Sequence, residues 1–432
     1  MLCDGRRCPL GDEDKQLFEE TLKEISQNFS DSWLALKSSH PLQILWNRRD
    51  ILASIELHML GESIRKLKSI SPDQLRQNII LLKSDDQGTM AGAIWEIILA
   101  AAFSNPPQQK SRLLGPRRPT YDIEVEKENN TKLRISVKNF GQSKKDKEFL
   151  SQFQSIEQIV KNHANTNIQI KIIRADQFPT MQDWDYLKRI LLRCLRSTSI
   201  SSFSDNGWDI IIRSLTYDHI KDRVGLDEAK LYSNEISYTL FMASPFYKNE
   251  DKNIESKLGE ACEDLICKGA MESDNLKNWL FIHLPEYVYM GDYVEWCNRF
   301  FRKNPKAPIT NITLIQPAYV TNPDRDESFL AINHKEINKH SKETTRNLHI
   351  EFPIGIPVNS IKRFLGPDFE IPKKHYMMQS GHIYIDCGDM THGGKMKTRF
   401  DYGIKTDAIA ELNGEKFWIS GNFPPTTKLV IL

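Results

Sequence analysis

Three short stretches carry side chains suited to hydrolysis: Glu96 in a largely apolar run, Pro119-Thr120-Tyr121-Asp122, and Ser136-Val137-Lys138. A carboxylate can hold a hard divalent cation, and a lysine nearby can orient or activate a water. Successive side chains of a strand point to opposite faces, so Ser136 and Lys138 share one face if this stretch is extended. A hairpin that brings Asp122 to the same face would set a carboxylate against an ammonium.

The surrounding pattern supplies such a hairpin. Tyr121, Ile123 and Val125 alternate with Asp122, Glu124 and Glu126, Leu133, Ile135 and Val137 alternate with Arg134, Ser136 and Lys138, and Glu128-Asn129-Asn130 makes the turn. Before it, Phe18, Leu22, Ile25 and Phe29 recur at helical spacing, as do the runs 51–67 and 90–103, and Asn105-Pro106-Pro107 stops the last helix. A loop is expected over 108–119. After the hairpin, helices are expected over 146–163, 183–195 and 292–301, and strands over 168–173, 208–212, 238–242, 280–284 and 312–315. Such alternation points to an α/β class with a mixed or parallel sheet. The segment 318–348 reads as polar and turn-rich, and 348–432 as a small β-rich unit with short strands. The expected organisation is therefore an α-helical region over 1–88, an α/β core over 89–345 and a β-rich part over 346–432.

Helix with Glu96, hairpin with Asp122, then Ser136-x-Lys138: this order resembles the PD-(D/E)XK nuclease superfamily, over roughly 90–175. The resemblance implies a restriction-endonuclease-like mixed sheet with an αβββαβ core. Asp122 would be its metal-binding aspartate, Lys138 its catalytic lysine and Glu96 its helix-borne second carboxylate. Tyr121 stands where the family motif has proline, and Ser136 where it usually has Glu or Asp. A subset of restriction enzymes in this superfamily also reads Ser-x-Lys and takes the missing carboxylate from the following helix. Here Glu148 and Glu157 lie ten and nineteen residues beyond Lys138, neither at that subset's spacing. The implied metal site is Asp122 with Glu96, Glu124 or Glu148, and the implied cofactor is Mg²⁺ or Mn²⁺. The implied activity is a metal-dependent endonuclease of restriction or defence type. The alternative is an inactive nuclease fold that binds nucleic acid or serves as a protein-interaction scaffold, which would explain Ser136.

Charge is distributed in keeping with that reading. Lys plus Arg (58) nearly balance Asp plus Glu (57), so the net field of the chain draws in no polyanion and any nucleic-acid site must be local. Between Asn105 and Leu150 eleven basic residues face six acidic ones. Arg112, Arg117 and Arg118, with Lys144 and Lys145 in the stretch 141–147, are the expected phosphate contacts. Lys188, Arg189, Arg193 and Arg196 form a second basic stripe on a helix read as packed first. The expected partner is nucleic acid, DNA ahead of RNA, with no membrane, and a homodimer is compatible with this.

Other motifs fall away. There is no phosphate-binding Gly-x-x-x-x-Gly-Lys-Ser/Thr loop, no Gly-x-Gly-x-x-Gly and no Gly-x-Ser-x-Gly, which disfavours NTP hydrolysis, dinucleotide redox chemistry and α/β-hydrolase chemistry. Gly366-Pro367-Asp368-Phe369-Glu370 reads as a turn entering a strand. Cys262/Cys267, Cys3/Cys8 and the set His382, Asp386, Cys387, Asp389 and His392 lack zinc spacing. Seven thinly spread cysteines suit a reducing cytoplasm. The N-terminus has no apolar leader and Glu96 interrupts the longest apolar stretch, so neither a signal peptide nor a membrane span is expected.

Overall fold

The computed structural model of the chain describes residues 2–3, 6–10, 14–36, 39–106, 109–114, 121–128, 130–140, 143–196, 201–216, 230–231, 235–266, 273, 275–284, 288–322, 327–340, 350–354, 356–358, 374–389, 395–402, 407–412, 415–418 and 431. It divides into two compact units: residues 1–141, 251–364 and 427–432 form the first, and residues 142–250 and 365–426 the second.

The first unit begins with a small ribbon, β1 (Leu2–Cys3) and β2 (Arg6–Arg7), and six helices: α1 (Lys15–Phe29), α2 (Asp31–Leu34), α3 (Pro41–Asn47), α4 (Ile51–Ile70), α5 (Pro72–Leu82) and α6 (Gln87–Ser104). Helix α6 starts at Asp86, whose carboxylate accepts the Thr89 amide at 2.7 Å and satisfies an otherwise unpaired N–H of its first turn. It is apolar almost all round, and Ile94, Trp95 and the run Ile97–Phe103 are buried, as expected of a helix enclosed by neighbours.

Three antiparallel strands follow, β3 (Gln109–Leu113), β4 (Ile123–Lys127) and β5 (Lys132–Asn139). The alternation read from sequence holds, with Ile123 opposite Ile135 and Glu124 opposite Arg134. Asn130 takes the left-handed conformation at φ 60° in the turn, which asparagine tolerates better than most residues. Two departures have simple reasons. Part of the expected loop 108–119 is strand β3: Lys110 and Arg112 face outward while Ser111 and Leu113 are buried, so a half-exposed edge strand has the composition of a loop. Part of 318–348 is strand, in stretches whose polar residues have the composition of a loop.

The second neighbour of β5 is not the strand that follows it in sequence. The chain passes through the second unit and returns through α9 (Glu250–Ile266), which all but its first residue places in the first unit, to β11 (Leu276–His283), parallel to β5 with Leu280 opposite Ser136. Helix α10 (Met290–Lys303) crosses to β12 (Asn311–Asn322), again parallel, and β13 (Glu327–Asn338) and β14 (Ile356–Val358) complete the order β14-β13-β12-β11-β5-β4-β3. Trp279 and Phe281 join the core with α1 and α4–α6. Leu280 and Ile282 alternate with them and are equally buried, as in a central parallel strand covered on both faces.

The second unit holds α7 (Lys144–His163), β6 (Ile168–Arg174), α8 (Met181–Arg196), β7 (Ser201–Asp205), β8 (Trp208–Ser214), β9 (Lys230–Leu231), β10 (Tyr238–Pro245), β15 (His375–Asp389), β16 (Lys395–Tyr402), β17 (Asp407–Leu412) and β18 (Glu415–Trp418). Its sheet runs β18-β17-β16-β15-β10-β6-β8-β7, with β9 beside β15. The boundaries drawn at 88 and 345 therefore do not coincide with the units. The expected C-terminal part pairs through β15 with β10, and β6 belongs to this sheet, with α7 in the same unit, rather than continuing the hairpin's sheet. Arg117, Arg118, the turn at 366–370, Cys267 and His392 lie outside the described residues.

One turn of the second unit is tightly specified. Asn206 and Gly207, at φ 48° and 74°, join β7 to β8 as a two-residue hairpin of the kind that Asn-Gly favours. A Cβ on Gly207 would come within 2.5 Å of Asp176 Oδ2 and 3.0 Å of the Arg174 guanidinium. Arg174 is buried, ion-paired with Asp183 at 3.6 Å and stacked over Trp208, so it has little room to yield. The substitution Gly207→Ala is expected to destabilise the protein by about 1–3 kcal/mol. A lowered urea midpoint would show it, and an unchanged midpoint would mean that the turn relaxes freely.

Candidate active site

The site forms where β4 and β5 part. Their ladder ends at Ile123–Ile135, and one residue earlier the Asp122 carboxylate takes over as acceptor of the next amide, Val137 N–H, at 2.6 Å. The Ser136 hydroxyl donates to the same oxygen at 3.4 Å. Asp122 is thus held by the strand that carries Lys138, and its side chain lies beside that strand's polar face.

Helix α6 brings Glu96 to the same place. Its carboxylate accepts from Asn78 Nδ2 of α5 at 2.8 Å. Burial, and then the charge of Asp122, push the Glu96 carboxyl up to about 8, against the pull of Asn78 and Lys138. Asp122 is raised as well, mainly by burial and further by Asp264, against the Val137 amide, Lys138 and the Ser136 hydroxyl. Two carboxylates within electrostatic reach of each other and partly removed from water resist simultaneous ionisation. A divalent cation relieves that strain, and Mg²⁺ is commonly bound by one or two carboxylates with the remaining positions left to water and phosphate.

Lys138 is half-buried, and its ammonium reaches Asp264 Oδ2 on α9 at 3.4 Å. Asp264 is a site residue that sequence reasoning missed. It lies on the first helix after the hairpin within this unit, but 126 positions beyond Lys138 in the chain. The local helix α7, with Glu148, stands in its place in the sequence. His283 was missed too. It stacks on Trp95, the neighbour of Glu96, at 4.7 Å, and its Nδ1 lies 3.0 Å from Asn139 Oδ1. Burial lowers its pKa to about 3, so it is a neutral wall that ties α6, β5 and β11 together rather than a proton carrier.

The remaining expected residues fall elsewhere. Glu124 is held by Arg112, at 2.6 Å, and by the Tyr121 hydroxyl, at 2.9 Å, and Arg134 lies over the Tyr121 ring. Arg112 is therefore an ion-paired strand residue rather than a free loop cation. Glu148 lies in the second unit, paired with Lys145 at 2.6 Å, and Lys145 also sits over the rings of Phe178 and Tyr247. Lys144 and Lys145 open α7, whose first turn replaces part of the loop expected over 141–147. Among the described residues no group of three or more His, Cys, Asp or Glu side chains is arranged to hold a metal ion. Asp122 and Glu96 remain as a two-carboxylate set. Among the described residues no helix is long and apolar enough to cross a membrane.

No protein-family model matches the chain, and no curated protein is detectably similar to it.

The carboxylate pair makes a pH dependence. Across the interval from 4.5 to about 8, Glu96 is protonated in the folded protein and ionised in the unfolded one. The unfolded state then binds fewer protons, so stability falls as pH rises through this window and levels off above it. The loss is of the order of a few kcal/mol. Buried His58 and His283, lowered to about 4 and about 3, act in the opposite sense below pH 6.5 and Glu336, raised to about 7, in the same sense, but all three are common to wild type and Glu96→Gln. Without divalent metal, the urea midpoint of the wild type relative to that of Glu96→Gln is therefore expected to fall from pH 5 through 6.5 to 8. Parallel pH profiles would remove Glu96 from the pair.

Proposed function

We propose that the chain is a metal-dependent nuclease of the PD-(D/E)XK type, most simply a DNA endonuclease. The observation that carries this reading is the meeting of Asp122, Glu96 and Lys138 where β4 leaves β5. The element order supports it. Helix α6, strands β3, β4 and β5, helix α9 and strand β11 run as α-β-β-β-α-β, with β11 parallel to β5. That is the αβββαβ order expected of this superfamily once residues 142–250, the first segment of the second unit, are taken as an insertion between β5 and α9.

Asp122 and Glu96 would hold the cation, Mg²⁺ or Mn²⁺. When bound, it supplies Lewis-acid polarisation of a phosphodiester and acidifies water. The Lys138 ammonium, on the same strand face as Ser136, can orient the attacking water and stabilise charge that develops on the phosphate oxygens. Asp264 keeps that ammonium in place in the free protein. Being half-exposed, it can give way to a substrate phosphate. Ser136 and the Val137 amide fix the Asp122 rotamer, so Ser136 acts by positioning rather than by ligating.

A second reading has one observation in its favour. Ser136 stands in place of an acid, and among the described residues no three-carboxylate metal group forms. This suits a degenerate nuclease fold that binds nucleic acid without cutting it.

Incubation of supercoiled plasmid and of labelled single-stranded RNA with Mg²⁺ or Mn²⁺ separates the two. Cleavage is expected with metal and not with EDTA, and Asp122→Ala and Lys138→Ala are each expected to lower it by at least about 100-fold while leaving binding largely intact. Asp264→Asn is expected to cost less, because it acts through Lys138. Cutting of RNA alone would keep the hydrolase and change its substrate. Binding without cutting by folded wild type, at every metal concentration, would favour the degenerate module.

A further inference from the structure

Helix α8 of the second unit is amphipathic in an unusual way. Trp184, Leu187, Ile190, Leu191 and Leu195 are buried against the sheet. The opposite side exposes Arg189, Arg193 and Arg196 at spacings of four and three, which puts them on one face, with a single exposed acid, Asp185, one turn before Arg189. Like charges at these spacings disfavour a helix by about 0.2–0.5 kcal/mol per pair. Six other arginines are ion-paired: Arg48 with Asp50, Arg65 with Glu62, Arg76 with Asp73, Arg112 with Glu124, Arg174 with Asp183 and Arg299 with Asp251 and Glu255. Among the described residues, Arg189, Arg193 and Arg196 form no ion pair or hydrogen bond.

The adjoining helix points the same way. Helix α7 packs on the same core through Phe149, Phe153, Ile156 and Val160. Its exposed residues include Lys144, Lys147, Ser151, Gln154, Ser155 and Gln158 and no acid. Its carboxylates are turned to other work: Glu148 pairs with Lys145, and Glu157 with Lys161 and the Tyr238 hydroxyl. Arginine, lysine, serine and glutamine are the side chains that contact backbone phosphate. From Arg189 to Arg196 the helix rises about 10 Å, roughly the axial rise of three base pairs of a duplex.

We infer that the helical layer of the second unit is a phosphate-backbone contact surface for double-stranded nucleic acid, with Arg189, Arg193 and Arg196 as its principal contacts. This rests on the nuclease reading and adds a second, sequence-independent contact outside the cleavage site. The tool is fluorescence anisotropy of a 30-base-pair DNA in EDTA at several KCl concentrations, comparing wild type with the triple variants Arg189→Gln/Arg193→Gln/Arg196→Gln and Arg189→Lys/Arg193→Lys/Arg196→Lys. The glutamine variant is expected to bind at least tenfold more weakly at 100 mM salt. Its log–log salt slope should be smaller by about two to three, since each neutralised phosphate contributes about 0.9. The lysine variant should retain the slope, and thermal melts should be unchanged because these side chains are exposed. Equal affinity and slope in wild type and the glutamine variant would overturn the surface, and plasmid cleavage in the same hands would leave the nuclease reading standing. Loss of binding in the glutamine variant, with no cleavage by wild type, would support the surface and sink the nuclease instead. Wild type that ignores the duplex but sediments with phosphatidylserine vesicles would overturn the assignment to nucleic acid.

Discussion

The geometry of the first unit turns on one amide, Val137 N–H. In an uninterrupted ladder it would be satisfied by a backbone carbonyl of β4. Here it is satisfied by the Asp122 carboxylate at 2.6 Å, and β4 is free to diverge from β5. A buried amide without an acceptor would be costly, so the carboxylate is both a structural bond and the means of opening the sheet. Through this contact Asp122 is locked to the strand of Lys138, and α6, packed over β5, places Glu96 against it.

That arrangement gathers negative charge where little water screens it. Glu96 is the one acid in a run of residues otherwise buried in the core, and Asn78 supplies the hydrogen bond that its carboxylate retains. Burial raises both carboxyls, the charge of Asp122 adds to the rise of Glu96 and that of Asp264 to the rise of Asp122, and Lys138 is the one cation that opposes both. Such a cluster lowers stability unless a cation joins it. Strained electrostatics of this kind commonly mark functional sites.

Much of the site was legible in sequence because it is local. Period-two alternation around Asp122 and Lys138 forces a hairpin, and a single glutamate in an apolar helix stands out. What was not legible depends on pairings that local patterns do not encode. The helix α7 and strand β6 after Lys138 look like a continuation of the hairpin's sheet, since any amphipathic helix followed by a strand such as Ile168–Arg174 would. The partner actually chosen by β5 is β11, more than a hundred residues on. Asp264 is invisible for the same reason. Glu124 looked available because alternation places it on the right face, but its neighbours Arg112 and Tyr121, one across a strand pair and the other three positions back, take its oxygens.

The first segment of the second unit, residues 142–250, enters the chain at a point that suits an insertion. The chain leaves the first unit at Gly141, just beyond β5, and re-enters it at Asp251, on α9. Both stubs are anchored within the first unit: the Phe140 amide bonds to the His283 carbonyl at 3.0 Å, and Lys257 of α9 lies over the Phe140 ring. An insertion whose two ends are fixed side by side adds only the modest entropy of a longer closed loop, because that cost grows with the logarithm of length. Lys138 lies three residues before the point of exit and Asp264 belongs to the returning helix. The pair that holds the proposed catalytic ammonium is therefore completed only when the chain on both sides of the insertion has docked in the first unit.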